Sequence, residues 1–503
     1  MPTSLRRRAL FATPLLLPLA HAVAQDLPGK RSTLQSKVLK EERAFQVVLP
    51  EGYWPGSPEK YDVLYVLDGE GNAKLFPAIL QFLREESFLP PVIVVAVFNT
   101  VRERDFAPTA MAGWTAPAGA DAFLSFLQDE LIPHVNKTCP STGYSALFGQ
   151  SLGGLLAMYA LLTKPQMFEA YLAADPSFWW DNGYINKLAA EKLNAAAHAG
   201  KSLFIAGRDG EALRQMGVQQ MESELKSHAP QGLNWKVASY ADENHGSVRL
   251  KCLYDGLKFL YTGYALRNVE FHPMNGTVLQ GQPYKVYYMG PYQSVHYTTD
   301  GSEPTSASPK MGTENSLTNG ARLTARALDR KDRFNKSTVG EFKVGKALAA
   351  VARPEGVQPG GLRYSYYEGH WGAVPDFSKL TPVKTGLADK DFSVSRMPRG
   401  MHFACLLEGF IDIQQAGYHV FAMDSDDGSK LYVGNQLLIS HDGTHGTGNA
   451  KSYLVPLEKG FHPIRIEYFQ GGGGAFLGVW YQPPGMDKPG AMPIPFELQY
   501  SSR

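Results

Sequence analysis

Cysteine is scarce: the 503 residues hold three, Cys139, Cys252 and Cys405. That excludes a small fold stapled by a disulfide framework. Neither sign of charge is in excess, with 49 Lys+Arg against 48 Asp+Glu and a formal charge of +1. A basic surface on the scale that binds nucleic acid is therefore not expected. Beyond the first two dozen residues there is no long apolar run, so no membrane-spanning helix is expected. There is no internal repeat either. What is present is an ordinary globular balance, 44% hydrophobic and 12% aromatic, which excludes extensive disorder. At roughly 100–200 residues per domain the length predicts about three domains. The 50 glycines and 34 prolines exceed average usage and point to a turn-rich, β-heavy part.

Residues 1–24 read as a signal peptide. Arg6, Arg7 and Arg8 precede an apolar run to Leu19, and Ala22-Val23-Ala24 fits cleavage before Gln25. Arg7 to Phe11 is similar to a twin-arginine export signal. The expected location is exported, periplasmic or secreted. The leader carries three arginines and no acid, so its removal takes the +1 of the full chain to −2. In such a compartment Cys139 and Cys252 can pair.

From 43 to 265 strand-like and helix-like segments alternate, which predicts an α/β fold with a mostly parallel sheet covered by helices on both faces. Strands are expected at 62–67, 91–98, 144–148, 168–173, 202–206 and 235–240, and helices at 121–135, 153–163 and 248–261. The run Pro91 to Phe98 (PVIVVAVF) has the continuous apolar character of a strand buried on both faces. From 270 to 345 the texture changes to short alternating segments split by turn residues, which predicts a small β-sandwich. Residues 346–361 read as a Pro/Gly linker, and 362–503 as a second β-sandwich.

Gly149-Gln150-Ser151-Leu152-Gly153 is the sharpest chemical signal. This G-x-S-x-G lies between a predicted strand and a predicted helix, where a tight turn raises the serine hydroxyl at the sheet's carboxyl edge. A serine nucleophile needs a base. His245, in Asp242-Glu243-Asn244-His245-Gly246-Ser247, follows the last strand and precedes the last helix, at the same edge. His228 is the other downstream histidine, at a helix end. An acid is expected to orient the base, and Asp209 directly follows the strand at 202–206, where such a carboxylate belongs. Glu211 and Glu222 are alternatives, as is a Ser-His pair without an acid. Backbone N–H groups of Leu152 and of Gly69 in Gly69-Glu70-Gly71 are placed to form an oxyanion hole. Trp179 and Trp180 are candidates to line the substrate pocket, or else belong to the core. Arg102 and Asp105 are expected to form a structural pair.

These residues together resemble the esterase D-type branch of the α/β-hydrolases, which holds feruloyl, acetylxylan and siderophore esterases. The resemblance rests on VLYVLDG (63–69), NTVRERDFAPT (99–109), FGQSLGGLLAMYALL (148–162), DPSFWWDN (175–182) and ENHGSV (243–248). It implies an esterase domain over 25–265, with Ser151 as nucleophile, His245 as base, Leu152 and Gly69 at the oxyanion, and no cofactor for catalysis. The middle segment is similar to the C-terminal β-sandwich of chitobiase-type enzymes through VHYTTDGSEPT (295–305) and ARLTARALD (321–329). The last segment resembles a PA14 domain through YYEGHW (366–371) and the stretches 421–446 and 457–482. That resemblance implies a glycan ligand and calcium held by Asp426 and Asp427, with Asp424 and Asp442 near; oxygen ligands of this kind suit calcium. The bland alternative is a structural turn. The expected function is a secreted serine esterase acting on feruloyl or acetyl decorations of plant polysaccharide. The alternatives are a periplasmic esterase of catecholate trilactone siderophores, and a non-catalytic glycan-binding protein on a hydrolase scaffold.

Overall fold

A computed structural model describes residues 29, 31–51, 53, 59–193, 196–486 and 492–502. The predicted leader lies outside them. The chain forms two compact units, one ending at Ala265 and the other spanning Leu266–Arg503. No helix among the described residues is long and apolar enough to cross a membrane.

The first unit is an α/β fold built on one eight-stranded sheet. Its strands are β1 (Arg31–Gln35), β2 (Glu42–Val48), β3 (Tyr61–Val66), β4 (Val92–Val97), β5 (Ser141–Gln150), β6 (Ala170–Ala174), β7 (Ser202–Arg208) and β8 (Asn234–Tyr240). They lie in the order β1-β2-β4-β3-β5-β6-β7-β8. β1, β2 and β4 pair antiparallel, and every pairing from β4 to β8 is parallel. Every residue of β3, β4 and β6 is buried, which is why these segments lack alternation. The edge strand β8 alternates between exposed and half-buried positions.

Prediction and structure agree on these elements to within a few residues, with two exceptions. β1, β2 and the helices Leu75–Glu85 and Trp180–Lys192 lie outside the expected elements. The expected helix over 121–135 is Ala120–Phe126, one π turn at Leu127–Leu131, then Ile132–Thr138. Phe123, Leu124, Leu127 and Leu131 all face the core. The three cysteines are free, so the Cys139–Cys252 pair is not formed. Cys252 is fully buried in the helix Val248–Leu260, and burial pushes its thiol well above the ordinary cysteine range.

In the second unit the middle segment supplies four strands, Val295–Thr298, Ala321–Ala327, Thr338–Val344 and Asn275–Val278, to another eight-stranded sheet. A three-stranded sheet of Phe271–His272, Tyr284–Tyr288 and Glu314–Leu317 packs on them around Phe271, Tyr284, Val286 and Phe342. The eight-stranded sheet does not stop there. Asn275–Val278 pairs in parallel with Lys451–Leu457, and the sheet continues through Gly417–Asp426 and Phe476–Gln482. At this junction a Cβ on Gly276 would meet the Leu454 Cβ at 2.8 Å, so the close approach needs glycine. The His272 ring and the Met274 amide meet the Ser452 hydroxyl at 2.7 and 3.0 Å.

The two β segments predicted as separate sandwiches are thus joined by a common sheet. The predicted linker is also built into the fold. Val357–Pro359 pairs with Gln499–Ser502, and Val351 bridges Phe461. One of its glycines serves close packing as well: a Cβ on Gly361 would meet the Ala388 carbonyl at 2.0 Å.

Candidate active site

The sheet gathers the polar groups of interest at one edge, because β3, β5, β6, β7 and β8 all run the same way. Loops leaving their carboxyl ends therefore share one rim. Ser151 follows β5 and precedes the helix Leu152–Thr163. Its backbone has φ 58°, a left-handed value that a non-glycine residue adopts only under strain and that marks a nucleophile elbow. The flanking glycines make that turn possible. A Cβ on Gly149 would lie 2.0 Å from the Gly153 carbonyl oxygen, and one on Gly154 would lie 2.8 Å from Pro176. The Ser151 N–H donates to the Ala174 carbonyl at 3.0 Å, and its Oγ lies 3.1 Å from Ser177 Oγ.

His245 sits in a loop that caps the helix Val248–Leu260. The Asn244 side chain accepts from the Gly246 and Ser247 amides at 2.8 and 2.9 Å, and the Ser247 hydroxyl accepts from the Asn244 amide at 2.9 Å. These local bonds form the turn that leads into the helix, a common use of Asn and Ser side chains. Gln150, one residue before Ser151, donates from its side chain to the His245 carbonyl, tying the base loop to the nucleophile turn. The imidazole is half exposed, and its Nδ1 lies 2.6 Å from Asp175 Oδ2.

Asp175 is the residue that sequence reasoning missed. It leaves β6 with φ 40° and donates its own N–H to the Ala206 carbonyl at 2.7 Å. Its side chain is fully buried, and Oδ2 also accepts from Arg208 Nε at 2.6 Å. Burial pushes this carboxyl up, but hydrogen bonds from His245 and Arg208 outweigh it and hold the group below the usual aspartate value. The anion is therefore the stable form, accepting a hydrogen bond from Nδ1–H and leaving Nε2 as the basic nitrogen.

Asp209, the acid expected from sequence, is not at His245. Its carboxylate accepts from the Gly210 amide at 2.8 Å, and its N–H is held by Tyr240 at the end of β8. The local turn thus consumes the side chain. The alternatives are also engaged elsewhere: Glu211 with Arg214, Glu222 with Lys226 at 2.6 Å, and His228 with Glu224 at 3.2 Å. A signal for Asp175 did exist, in an aspartate directly after the wholly apolar strand Ala170–Ala174.

Leu152 and Gly69 each begin a helix, Leu152–Thr163 and Gly69–Asn72, so their N–H groups lack intrahelical acceptors. Gly69 is packed against β4, where a Cβ would meet the Val97 carbonyl at 2.8 Å. Beside it, Asp68 is clasped by Arg102 at 2.5 and 3.0 Å and by Asn99 at 2.8 Å. Arg102 also donates to the Gln150 carbonyl at 3.2 Å. Arg102 therefore pairs with Asp68 and not with Asp105. Asp105 turns inward on the short helix Arg102–Phe106 to meet the buried Arg43 at 2.7 Å.

The two tryptophans separate. Trp180 is buried, and its indole N–H donates to Thr109, which makes it a core residue. Trp179 is 40% exposed and Trp114 is 42% exposed, and both rings lean on Trp180. Asp181, Asn182 and Gly183 follow in left-handed conformations, a run these residue types tolerate.

In the second unit Asp427, Asp424 and Asp442 serve backbone amides. Asp427 is buried and accepts from the amides of His445, Gly471 and Gly472 at 3.0, 2.8 and 3.3 Å. Asp424 accepts from Ser425 and Gly448, and Asp442 from Val374 and Gly443. Asp442 also meets Lys430 at 2.8 Å. Among the described residues no group of three or more His, Cys, Asp or Glu is placed to hold a metal ion. Asp424, Asp427 and Asp442 thus latch loops, and the calcium expected at Asp426 and Asp427 finds no support in this arrangement.

Comparison with known proteins agrees with this division. The family model Esterase ("Putative esterase") matches residues 36–242, and the PA14 domain model matches 381–491. The chain is similar to a siderophore enterobactin esterase of Emericella nidulans, with 30% identity over 255 residues, 41% of this chain and 83% of the relative. It is also similar to the ferri-bacillibactin esterase BesA of Bacillus subtilis, with 24% identity over 266 residues, 47% and 91%. Among solved structures, an IroE-like serine hydrolase from Shewanella oneidensis is 34% identical over 48% of this chain and 82% of that one, with TM-score 0.45.

Proposed function

We propose, since the chain belongs to this esterase family, that it hydrolyses siderophore esters through Ser151, His245 and Asp175. The observation that carries the mechanism is the 2.6 Å hydrogen bond from His245 to a buried, ionised Asp175 at the rim that also holds the Ser151 elbow. Ser151 Oγ attacks the ester carbonyl carbon while His245 Nε2 takes the hydroxyl proton. The Leu152 and Gly69 amides receive the oxyanion, which stabilises the tetrahedral intermediate more than the ground state. His245 then protonates the leaving alcohol, and the acyl-enzyme is opened by a water that gives its proton to the same nitrogen. No cofactor takes part in these steps.

For the substrate, the relatives named above act on enterobactin-type and bacillibactin-type siderophores, which supports a catecholate trilactone over the plant polysaccharide ester first expected. The exposed indoles of Trp114 and Trp179 suit a flat aryl ring. Export directed by residues 1–24 would place the enzyme outside the cytoplasm. The test is a release assay read by mass spectrometry on a catecholate trilactone, feruloylated arabinoxylan and acetylated xylan. Preferential trilactone opening is expected; preferential release of ferulate or acetate overturns the substrate reading. Ser151→Ala should abolish hydrolysis of p-nitrophenyl acetate, and retained turnover overturns the mechanism.

A further inference from the structure

Arg208 ends β7, the strand after which sequence reasoning placed the orienting acid. The structure has a cation there, and the acid comes from the neighbouring strand β6. Asp175 Oδ2 is shared, with His245 Nδ1 and Arg208 Nε each at 2.6 Å from the one oxygen. Oδ1 of the same carboxylate is buried without a hydrogen-bond partner among the described residues. A fully buried carboxylate with one bare oxygen depends heavily on the donors it has. His245 alone would have to serve both as the acid's support and as the group it orients.

We infer that Arg208 is a positioning residue for the esterase reaction: it anchors Asp175 from β7 so that the acid acts on His245 from β6. This rests on the reading of Ser151 as nucleophile and His245 as base. Arg208 reaches the imidazole in two ways. It fixes the Asp175 oxygen to which Nδ1 bonds, and its permanent charge lies across that shared oxygen from the ring. The other charged groups around the pair are directed elsewhere. Asp209 accepts from the Gly210 amide, Glu243 accepts from the Ser247 hydroxyl, and Asp242 is exposed in the same loop. Arg208 and His245 are the charged groups that act on Asp175.

The experiment compares the pH dependence of kcat/KM for p-nitrophenyl butyrate in the full-length enzyme and its Arg208→Gln and Arg208→Lys variants. Arg208→Gln is expected to move the acidic limb upward by about one pH unit and to lower kcat/KM at neutral pH by ~10-fold. Arg208→Lys keeps the charge and is expected to return the limb most of the way. A merely structural role lowers the rate equally at every pH, and an unmoved limb in Arg208→Gln overturns the inference. If Arg208→Gln folds poorly, Arg208→Met takes its place, read by the pH dependence of fluorophosphonate labelling of Ser151: a limb moved upward supports the inference, and a wild-type limb overturns it. Ser151→Ala run alongside separates the two readings. Activity surviving in that variant removes the mechanism itself, whereas its loss with an unmoved Arg208→Gln limb removes only the role of Arg208.

Discussion

Asp175 and Asp427 are both almost wholly buried aspartates, one in each unit, and their donors differ in kind. Asp175 faces two side-chain donors, the imidazole of His245 and the guanidinium of Arg208. Asp427 faces backbone amides from two loops. An amide has one protonation state and a fixed place in the chain, so Asp427 can only hold loops where they are. An imidazole changes state near neutral pH, so Asp175 can govern a proton. Burial alone does not tell a chemical carboxylate from an architectural one; the identity of the donors does.

The sharpest way to break this comparison is to neutralise each acid in turn. Asp175→Asn keeps the shape but favours the wrong imidazole tautomer, and kcat/KM is expected to fall by ~10²–10⁴-fold. Asp209→Asn, at the position first expected to hold the acid, should change it less than about twofold. Steady-state kinetics on p-nitrophenyl acetate measure both, and equal losses would return Asp209 to the mechanism.

Asp427→Ala strips the acceptor from three amides and is expected to cost the second unit about 2–4 kcal/mol. Thermal melts should show the loss, while ester hydrolysis at 25 °C stays within about twofold.

A smaller and more gradual effect concerns acid. Burial holds His419 and His441 at about 4, with His445 and Lys451 adding to the effect at His441. The unfolded chain binds protons at these residues from about pH 6.5, whereas the folded unit resists until near 4. Stability of the second unit should therefore decline as pH drops from 6.5 towards 4, by up to a few kcal/mol. His441→Gln should flatten the slope of denaturation midpoint against pH over that window.

Sequence reached the parts of the molecule whose causes are local. The Ser151 turn needs glycines within a few residues, and the His245 loop carries its own Asn and Ser turn bonds, so both are legible in short motifs. The strands β3, β4 and β6 announce themselves by unbroken apolar runs. Asp175 is not legible in a short motif, because its partner His245 lies 70 residues away. The expectation of an acid after β7 overrode the plain fact of an aspartate at the end of a buried strand. The expected Arg102–Asp105 pair fails for the same reason: their partners, Asp68 and Arg43, are far away in sequence. The joining of the two β segments left no local trace either. A parallel pairing between Asn275–Val278 and Lys451–Leu457 depends on residues far apart in sequence, with Gly276 the one small clue.

That joint sheet also constrains how such a chain can be inherited. Asn275–Val278 is an interior strand, with Thr338–Val344 on one side and Lys451–Leu457 on the other. A recombination event in the stretch 346–361 would hand each descendant an open strand edge, an invitation to intermolecular pairing. Separating the middle segment from the PA14 segment therefore breaks a sheet, whereas the sheet of the esterase unit is built from its own strands alone.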